Sequence, residues 1–386
     1  MGWFYDISLV SDQAIWGLRI ALLVAAVWVV LRWHRSSANT VGSYLRRIVS
    51  LTVVSLLTTM TLAAPLNAEY GWYPTIGDLM PASDSGTVVR SPENAAAAVA
   101  ADHTSSALIT GARTRPAVSL KLQPTKSGAG AGFEDFTVRG ARSGMTGQVT
   151  VWFPKQYVSE PNREFPVIET FHGIAPAPYA VFNVVKLDQI VSTMADQGQM
   201  KPALIVSPHW AFSGRDNECV DSTTGGKVET WLTQDVPAWL YSTFRVSPGR
   251  DSFAAWGMSA GGWCANMSAM LHPDTFATAV SMGGYWRPDF DPSFVPFAEG
   301  TPEWNRYDLV ALAENHPPAV ALWGVAGKND DLAIPSTKLI EKAVRAPTSL
   351  TFTELPRGGH NTDLWIPFAQ PSMTWLASTS PAFTAT

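Results

Sequence analysis

The chain has 386 residues and a formal net charge of −5, enough length for one large domain with additional segments. This modest charge gives no reason to expect sequence-independent binding of nucleic acid. Two cysteines are too few for a disulfide-rich scaffold, and no phosphate-binding loop, HExxH or EF-hand pattern is present. We therefore expect neither a metal nor an organic cofactor.

Two apolar segments near the N-terminus, residues 14–31 and 48–66, are each long enough to cross a bilayer as a helix. The first contains one charge, Arg19, and the second contains none. Arginines are concentrated between the two segments, which predicts a cytoplasmic turn with both ends of the hairpin outside. Residues 1–67 are thus expected to be a membrane region, and the rest of a multi-pass protein is expected to be extracytoplasmic.

Two alternatives exist for these segments. Arg46-Arg47, an apolar run and small residues up to Ala68 resemble a signal sequence, and cleavage near Ala68 would release a secreted protein. Both segments could also be buried helices of a soluble core. The membrane and signal alternatives agree that the C-terminal part lies outside the cytoplasm.

Residues 68–132 are rich in Ala, Ser, Thr and Gly and have little periodic apolar patterning, which predicts a flexible extracytoplasmic linker. From residue 133 to 386, short β-rich runs alternate with helical patterns. Such alternation predicts an α/β domain with a mostly parallel sheet of about eight strands flanked by helices.

Gly257-Met-Ser259-Ala-Gly261 follows one of these apolar runs and precedes a helical pattern. A Gly-x-Ser-x-Gly sequence between a strand and a helix is the nucleophile elbow of α/β-hydrolases. Glycine at both ends removes side chains that would collide with the strand or the helix. Ser259 is therefore the predicted nucleophile, although an ordinary glycine-rich loop is the alternative.

A serine nucleophile needs a base and an acid that orients the base, and in this fold they follow the serine as Asp or Glu and then His. His360 follows the last predicted strand and is the predicted base. Asp330 and Asp331 both follow the strand before it; we favour Asp330 and keep Asp331 as second choice. A turn carboxylate or helix cap remains the alternative for either acid.

The developing oxyanion needs two backbone N–H donors. We predict the amide of Ala260, directly after the nucleophile, and the amide of Ile174 in the loop after the third strand. His172 in the same loop is a candidate substrate contact or a strand cap. Trp231, Trp263 and Trp286 are candidate pocket walls, with core packing as the equal alternative for each.

Several motifs in combination resemble the esterase D-like family, which includes secreted corynebacterial and mycobacterial mycolyltransferases. The motifs are Phe171-His-Gly, Glu218-Cys-Val-Asp221, Thr230 to Trp239, Gly257 to Ala265 and Met282-Gly-Gly-Tyr-Trp286. Residues 67–74, Asn-Ala-Glu-Tyr-Gly-Trp-Tyr-Pro, are similar to a segment that follows N-terminal membrane helices in actinobacterial members of the family.

The resemblance implies an α/β-hydrolase with Ser259, His360 and Asp330 as its triad, acting on an acyl ester such as a cell-envelope lipid or glycolipid. Two departures weaken the case for trehalose mycolate transfer. The mycolyltransferases generally have an acidic residue where this chain has His172, and a Glu where it has Asp330. We therefore predict an extracytoplasmic serine esterase, with a mycolyltransferase-type acyltransferase as first alternative and a catalytically inactive binding module as second.

Cys219 and Cys264 fit the same interpretation. In an oxidising exterior, a disulfide between them would hold the loop of Cys219 beside the helix that follows Ser259. Two buried free thiols are the alternative.

Thiol titration of the denatured, unreduced protein is expected to find no free thiol, because both sulfur atoms are consumed in the disulfide. Titration of two thiols would contradict the bridge.

Overall fold

The computed structural model describes residues 2–33, 40–80, 86–101, 104–111, 119–173, 178–212 and 216–385. The chain divides into two compact units. The first consists of Met1–Ser85, Gly327–Asp331 and Leu355–Leu364, and the second of Gly86–Ala326, Leu332–Glu354 and Trp365–Thr386. Two late loops thus group with the N-terminal region, and the domain boundaries expected at residues 67 and 132 stay a prediction.

The first unit contains α1 (Gly2–Tyr5), α2 (Asp12–Trp33) and α3 (Val41–Tyr70). At 1.5 Å per residue, α2 and α3 are both long enough to cross a bilayer, and both are apolar enough to do so. They contain the predicted segments 14–31 and 48–66, and most of their large apolar side chains are exposed. The two helices are therefore not buried in the core of this chain, and their crossing of a membrane stays a prediction.

The second unit contains most of a nine-stranded sheet. The strands of this sheet are β1 (Thr87–Arg90), β2 (Gly132–Arg139), β3 (Thr146–Phe153), β4 (Val167–Phe171), β5 (Leu204–Pro208), β8 (Phe253–Met258), β9 (Thr278–Met282), β10 (Ala321–Gly327) and β11 (Ser349–Leu355). Two further strands, β6 (Asp221–Ser222) and β7 (Gly226–Lys227), form a separate short hairpin. The sheet order is β1-β11-β10-β9-β8-β4-β5-β3-β2, with β6 and β7 outside it. Strands β5, β4, β8, β9 and β10 are parallel, whereas β2 and β3 are antiparallel additions.

Helices connect and flank these strands: α4 (Ala95–Ala100), α5 (Ala107–Thr110), α6 (Lys155–Ser159), α7 (Ala180–Asn183), α8 (Leu187–Asp196), α9 (Val228–Thr230), α10 (Val236–Thr243), α11 (Ala260–Leu271), α12 (Pro302–Arg306), α13 (Leu309–Asn315), α14 (Ala333–Ala343), α15 (Thr362–Trp365) and α16 (Ala369–Thr379). Every residue of β4, β5, β8, β9 and β10 is buried, as expected for parallel strands covered on both faces. The predicted α/β architecture is confirmed, with one more strand in the sheet than expected.

The additional strand comes from the segment that was expected to be a flexible linker. Residues 87–90 pair with β11 as the antiparallel strand β1. Ala98 and Val99 of α4 pack against Ala277 and Ala321, and the guanidinium of Arg250 donates to the carbonyl of Val99 (2.7 Å). A four-residue strand and an alanine helix bury too few side chains to give a periodic signal, which is why composition indicated a linker here.

A buried carboxylate links several elements on one side of the second unit. Glu229 of α9 is 2% exposed and accepts hydrogen bonds from the guanidinium of Arg306, the hydroxyl of Tyr307 (2.6 Å) and Nε2 of His272 (2.7 Å). Burial alone would raise the pKa of Glu229, but the hydrogen bonds and charges of Arg306 and His272 lower it to about 2.

Replacing Glu229 by Gln is expected to lower the thermal unfolding midpoint at pH 7, because Arg306 and Tyr307 lose a charged acceptor. The cost is about 1–3 kcal/mol. A carboxyl whose folded pKa is depressed stabilises the fold above its unfolded pKa, so this contribution disappears as pH falls from about 4.5 to about 2. The gap in midpoint between the two proteins should therefore close over that range; an equal gap at pH 7 and pH 2.5 would contradict the assignment.

Candidate active site

The chain turns at Ser259, between β8 and α11. Ser259 has φ 58° and ψ −129°, a backbone conformation that a side chain makes unfavourable by about 1–3 kcal/mol. Its amide donates to the carbonyl of Met282 at the end of β9 (2.8 Å), which anchors the turn to the neighbouring strand. A strained non-glycine residue at the end of a central strand is characteristic of a residue whose side chain has a function.

The two glycines of the motif are required by close backbone approaches. A Cβ atom on Gly257 would lie 2.0 Å from the carbonyl oxygen of Gly261, and one on Gly261 would lie 2.1 Å from that of Phe171. Neither backbone atom can move without disturbing the turn or the strand. The structure therefore contains the collisions that explain, from the sequence alone, why glycine stands at both positions.

Ala260 is the first residue of α11, so its amide is among the N–H groups that have no acceptor inside the helix. The positive end of the helix dipole lies at the same place and favours negative charge there. Ile174, the second predicted oxyanion donor, lies outside the described residues. The roles of both amides remain a prediction.

His360 and Asp330 form a hydrogen-bonded pair within the first unit. Nδ1 of His360 lies 2.9 Å from Oδ2 of Asp330, and the Asp330 side chain is fully buried. Asp331 is exposed. Of the two carboxylates that the sequence left open, Asp330 is the one that contacts the imidazole. The assignment of these two residues as base and acid remains a prediction.

His172 is buried at the end of β4. Its Nδ1 donates to the carbonyl of Gly173 (2.7 Å), and its ring stacks on that of Trp210 with centroids 4.9 Å apart. Burial lowers the pKa of His172 to about 4, so the ring is neutral at neutral pH. Among the described residues, Nε2 has no hydrogen-bond partner. That nitrogen is an acceptor, and its predicted role in contacting substrate stays a prediction.

The three candidate tryptophans are buried in the core of the second unit. The indole N–H groups of Trp231, Trp263 and Trp286 donate to the carbonyl of His209, the carbonyl of Glu218 and the hydroxyl of Thr337, respectively. Full burial with a satisfied indole favours core packing over a pocket wall for each.

The predicted disulfide between Cys219 and Cys264 is confirmed, with an S–S distance of 2.01 Å. It joins the loop that follows β5 to α11, five residues after Ser259. In the same loop, Glu218 accepts hydrogen bonds from the hydroxyl of Tyr285 and the amide of Asp289. Burial raises the pKa of the Glu218 carboxyl well above its usual range.

Sequence reasoning did not find the contacts that residues 71–78 make with the loops of His360 and Asp330. The amide of His360 donates to the carbonyl of Gly71 (3.0 Å), and the amide of Gly358 donates to Oδ1 of Asp78 (2.6 Å). The one signal in the sequence was the aromatic segment 67–74, which resembled a family feature without any assigned role.

Comparison with known proteins agrees with this geometry. The family model described as "Putative esterase" matches residues 142–365, more than half of the chain. An uncharacterised protein of Corynebacterium glutamicum is 25% identical over 345 residues, which cover 86% of this chain and 75% of that protein.

A diacylglycerol acyltransferase/mycolyltransferase of Mycobacterium avium is 40% identical over 126 residues, covering 31% of this chain and 32% of that protein. The match thus spans about a third of the mycolyltransferase. Among solved structures, an S-formylglutathione hydrolase from Agrobacterium tumefaciens superposes with a TM-score of 0.54 at 19% identity, over 64% of this chain and 95% of that one. This last similarity concerns the fold alone. From the family match, the chain belongs to the esterase family of α/β-hydrolases.

Proposed function

We propose that this protein is a serine esterase that cleaves a carboxylic ester through an acyl-enzyme on Ser259. The observation that carries the proposal is the strained backbone of Ser259 between β8 and α11, because residues held in such conformations cluster at functional sites. Membership of the esterase family supports the same chemistry.

In the proposed mechanism, Oγ of Ser259 attacks the ester carbonyl and His360 removes its proton. Asp330 keeps His360 in the tautomer that carries hydrogen on Nδ1, in keeping with their 2.9 Å contact. The Ala260 and Ile174 amides stabilise the tetrahedral oxyanion. His360 then protonates the departing alcohol, and water, activated by the same imidazole, releases the acid from Ser259.

We further propose that α2 and α3 cross a membrane and that the second unit is extracytoplasmic. The arginine-rich end of the hairpin supports this orientation, and a disulfide is typical of an oxidising compartment.

A second candidate function is transfer of the acyl group to a sugar hydroxyl instead of water. Similarity to the mycobacterial acyltransferase/mycolyltransferase favours it, and both reactions share the same acyl-enzyme. The neutral imidazole of His172 supplies an acceptor that could bind a hydroxyl group.

Ser259→Ala is expected to reduce p-nitrophenyl ester turnover by about six orders of magnitude, because the nucleophile is lost. The same variant should lose labelling by a fluorophosphonate probe. Ser268→Ala is the control on the same helix, since this serine of α11 is fully buried and its hydroxyl has no partner among the described residues. Absence of labelling in the unaltered protein would favour an inactive binding module instead.

Adding trehalose to the ester assay separates the two functions. Hydrolysis is expected to dominate, because His172 and Asp330 both depart from the residues usual in mycolyltransferases. The products are measured as free acid and acylated trehalose by mass spectrometry over a series of acyl lengths. Acylated trehalose formed faster than free acid would reverse the order of the two candidates.

A further inference from the structure

Helix α3 leads directly into a short segment, Gly71–Leu79, which we call the post-helix segment. Gly71 has φ 60° and ends the helix by donating to the carbonyl of Asn67 (2.9 Å). The side-chain amide of Asn67 then binds both the N–H and the carbonyl of Tyr73, at 2.8 and 2.9 Å. These bonds fix the direction in which the segment leaves the helix.

The first part of the post-helix segment is bonded to the loop of His360. The carbonyl of Gly71 accepts from the amide of His360 (3.0 Å), and that of Trp72 accepts from the side-chain amide of Asn361 (2.7 Å). A Cβ atom on Gly359 would lie 2.1 Å from the carbonyl oxygen of Gly71. The two backbones are therefore as close as a glycine permits, directly beside the proposed base.

The second part contributes a buried carboxylate, Asp78, which is 8% exposed. Its oxygens accept from the amide of Gly358 (2.6 Å) and from the side-chain amide of Asn329 (3.2 Å). They also accept from the amide and the hydroxyl of Thr75, both at 2.8 Å. The Asp78 carboxylate is thus hydrogen-bonded to the loop that precedes His360 and to the loop that precedes Asp330.

The sequence positions of these donors give Asp78 its significance. Gly358 lies two residues before His360, and Asn329 lies directly before Asp330. The two loops also meet through the amide of Asn329 and the carbonyl of Gly358 (2.9 Å). The Asp78 carboxylate is thus a second bridge between the loops that bring His360 and Asp330 within 2.9 Å of each other.

We propose that Asp78 is a positioning residue: its carboxylate aligns His360 with Asp330. This proposal rests on the proposed function, since it assumes that His360 acts as the base. Asp78 acts through the loops and does not take part in the reaction itself. Through Asp78, the post-helix segment contributes to catalysis although it lies outside the catalytic motifs.

The test measures the rate of fluorophosphonate labelling of Ser259 against pH, with the full chain in detergent micelles and the labelled peptide mapped by mass spectrometry. Asp78→Asn replaces one acceptor oxygen by an NH₂ group that faces N–H donors, so the loops should shift. We expect labelling to slow about 10- to 100-fold, as for a misplacement of about 1 Å in a catalytic group. The pH midpoint of the rate should also shift, because the contact between His360 and Asp330 changes.

Asp235→Asn is the matched control. Asp235 is 5% exposed and also accepts two backbone amides, those of Arg142 and Ser143 at 2.9 Å, but it contacts neither loop. This variant should lower the thermal unfolding midpoint without changing the pH midpoint of labelling. Thr75→Val removes a single donor to Asp78, and it provides a smaller change in the same direction if Asp78→Asn does not fold.

The Asp330→Asn background completes the experiment. If Asp78 acts through the pair, Asp78→Asn should slow labelling much less when Asp330 is already replaced. Labelling of Asp78→Asn and Thr75→Val at the original rate and pH midpoint would overturn the proposal while leaving the serine mechanism intact. Failure of the unaltered protein to label at Ser259 would instead overturn the proposed function.

Discussion

The constraint on which the structure depends is the turn at Ser259, where a residue with a side chain adopts φ 58°. Such a conformation persists only when its surroundings leave no alternative. Here, β4 and β9 flank β8 in the sheet, and α11 packs so closely on β4 that Gly261 lies against the carbonyl of Phe171. The glycines of the motif are what allow α11 to pack this closely on β4 and β8.

The second unit accommodates buried carboxyl groups in two ways. Glu229 remains ionised because Arg306 and His272 compensate its burial. For Glu169 on β4 and Glu218 beside the disulfide, burial is the largest influence and raises the pKa well above the usual range.

The parts of the fold that follow from local sequence could be predicted. The elbow was identified because its glycines and serine are neighbours in the chain, and the buried parallel strands because each is a continuous apolar run. The pairing of β1 with β11 and the hydrogen bond from Gly358 to Asp78 could not be predicted. The residues that they join lie more than two hundred positions apart in the sequence. The choice between Asp330 and Asp331 needed side-chain directions, which adjacent positions in a sequence do not reveal.

The bond between Asp78 and Gly358 has a consequence for how the chain is made. Its two partners are separated by 280 residues, so the post-helix segment is synthesised long before the loop it binds. Contacts of such long range form late, because the intervening chain must close first. The alignment of the proposed base and acid is therefore among the last features to form. A nascent chain that has completed its sheet up to β10 still lacks the 2.9 Å contact between His360 and Asp330.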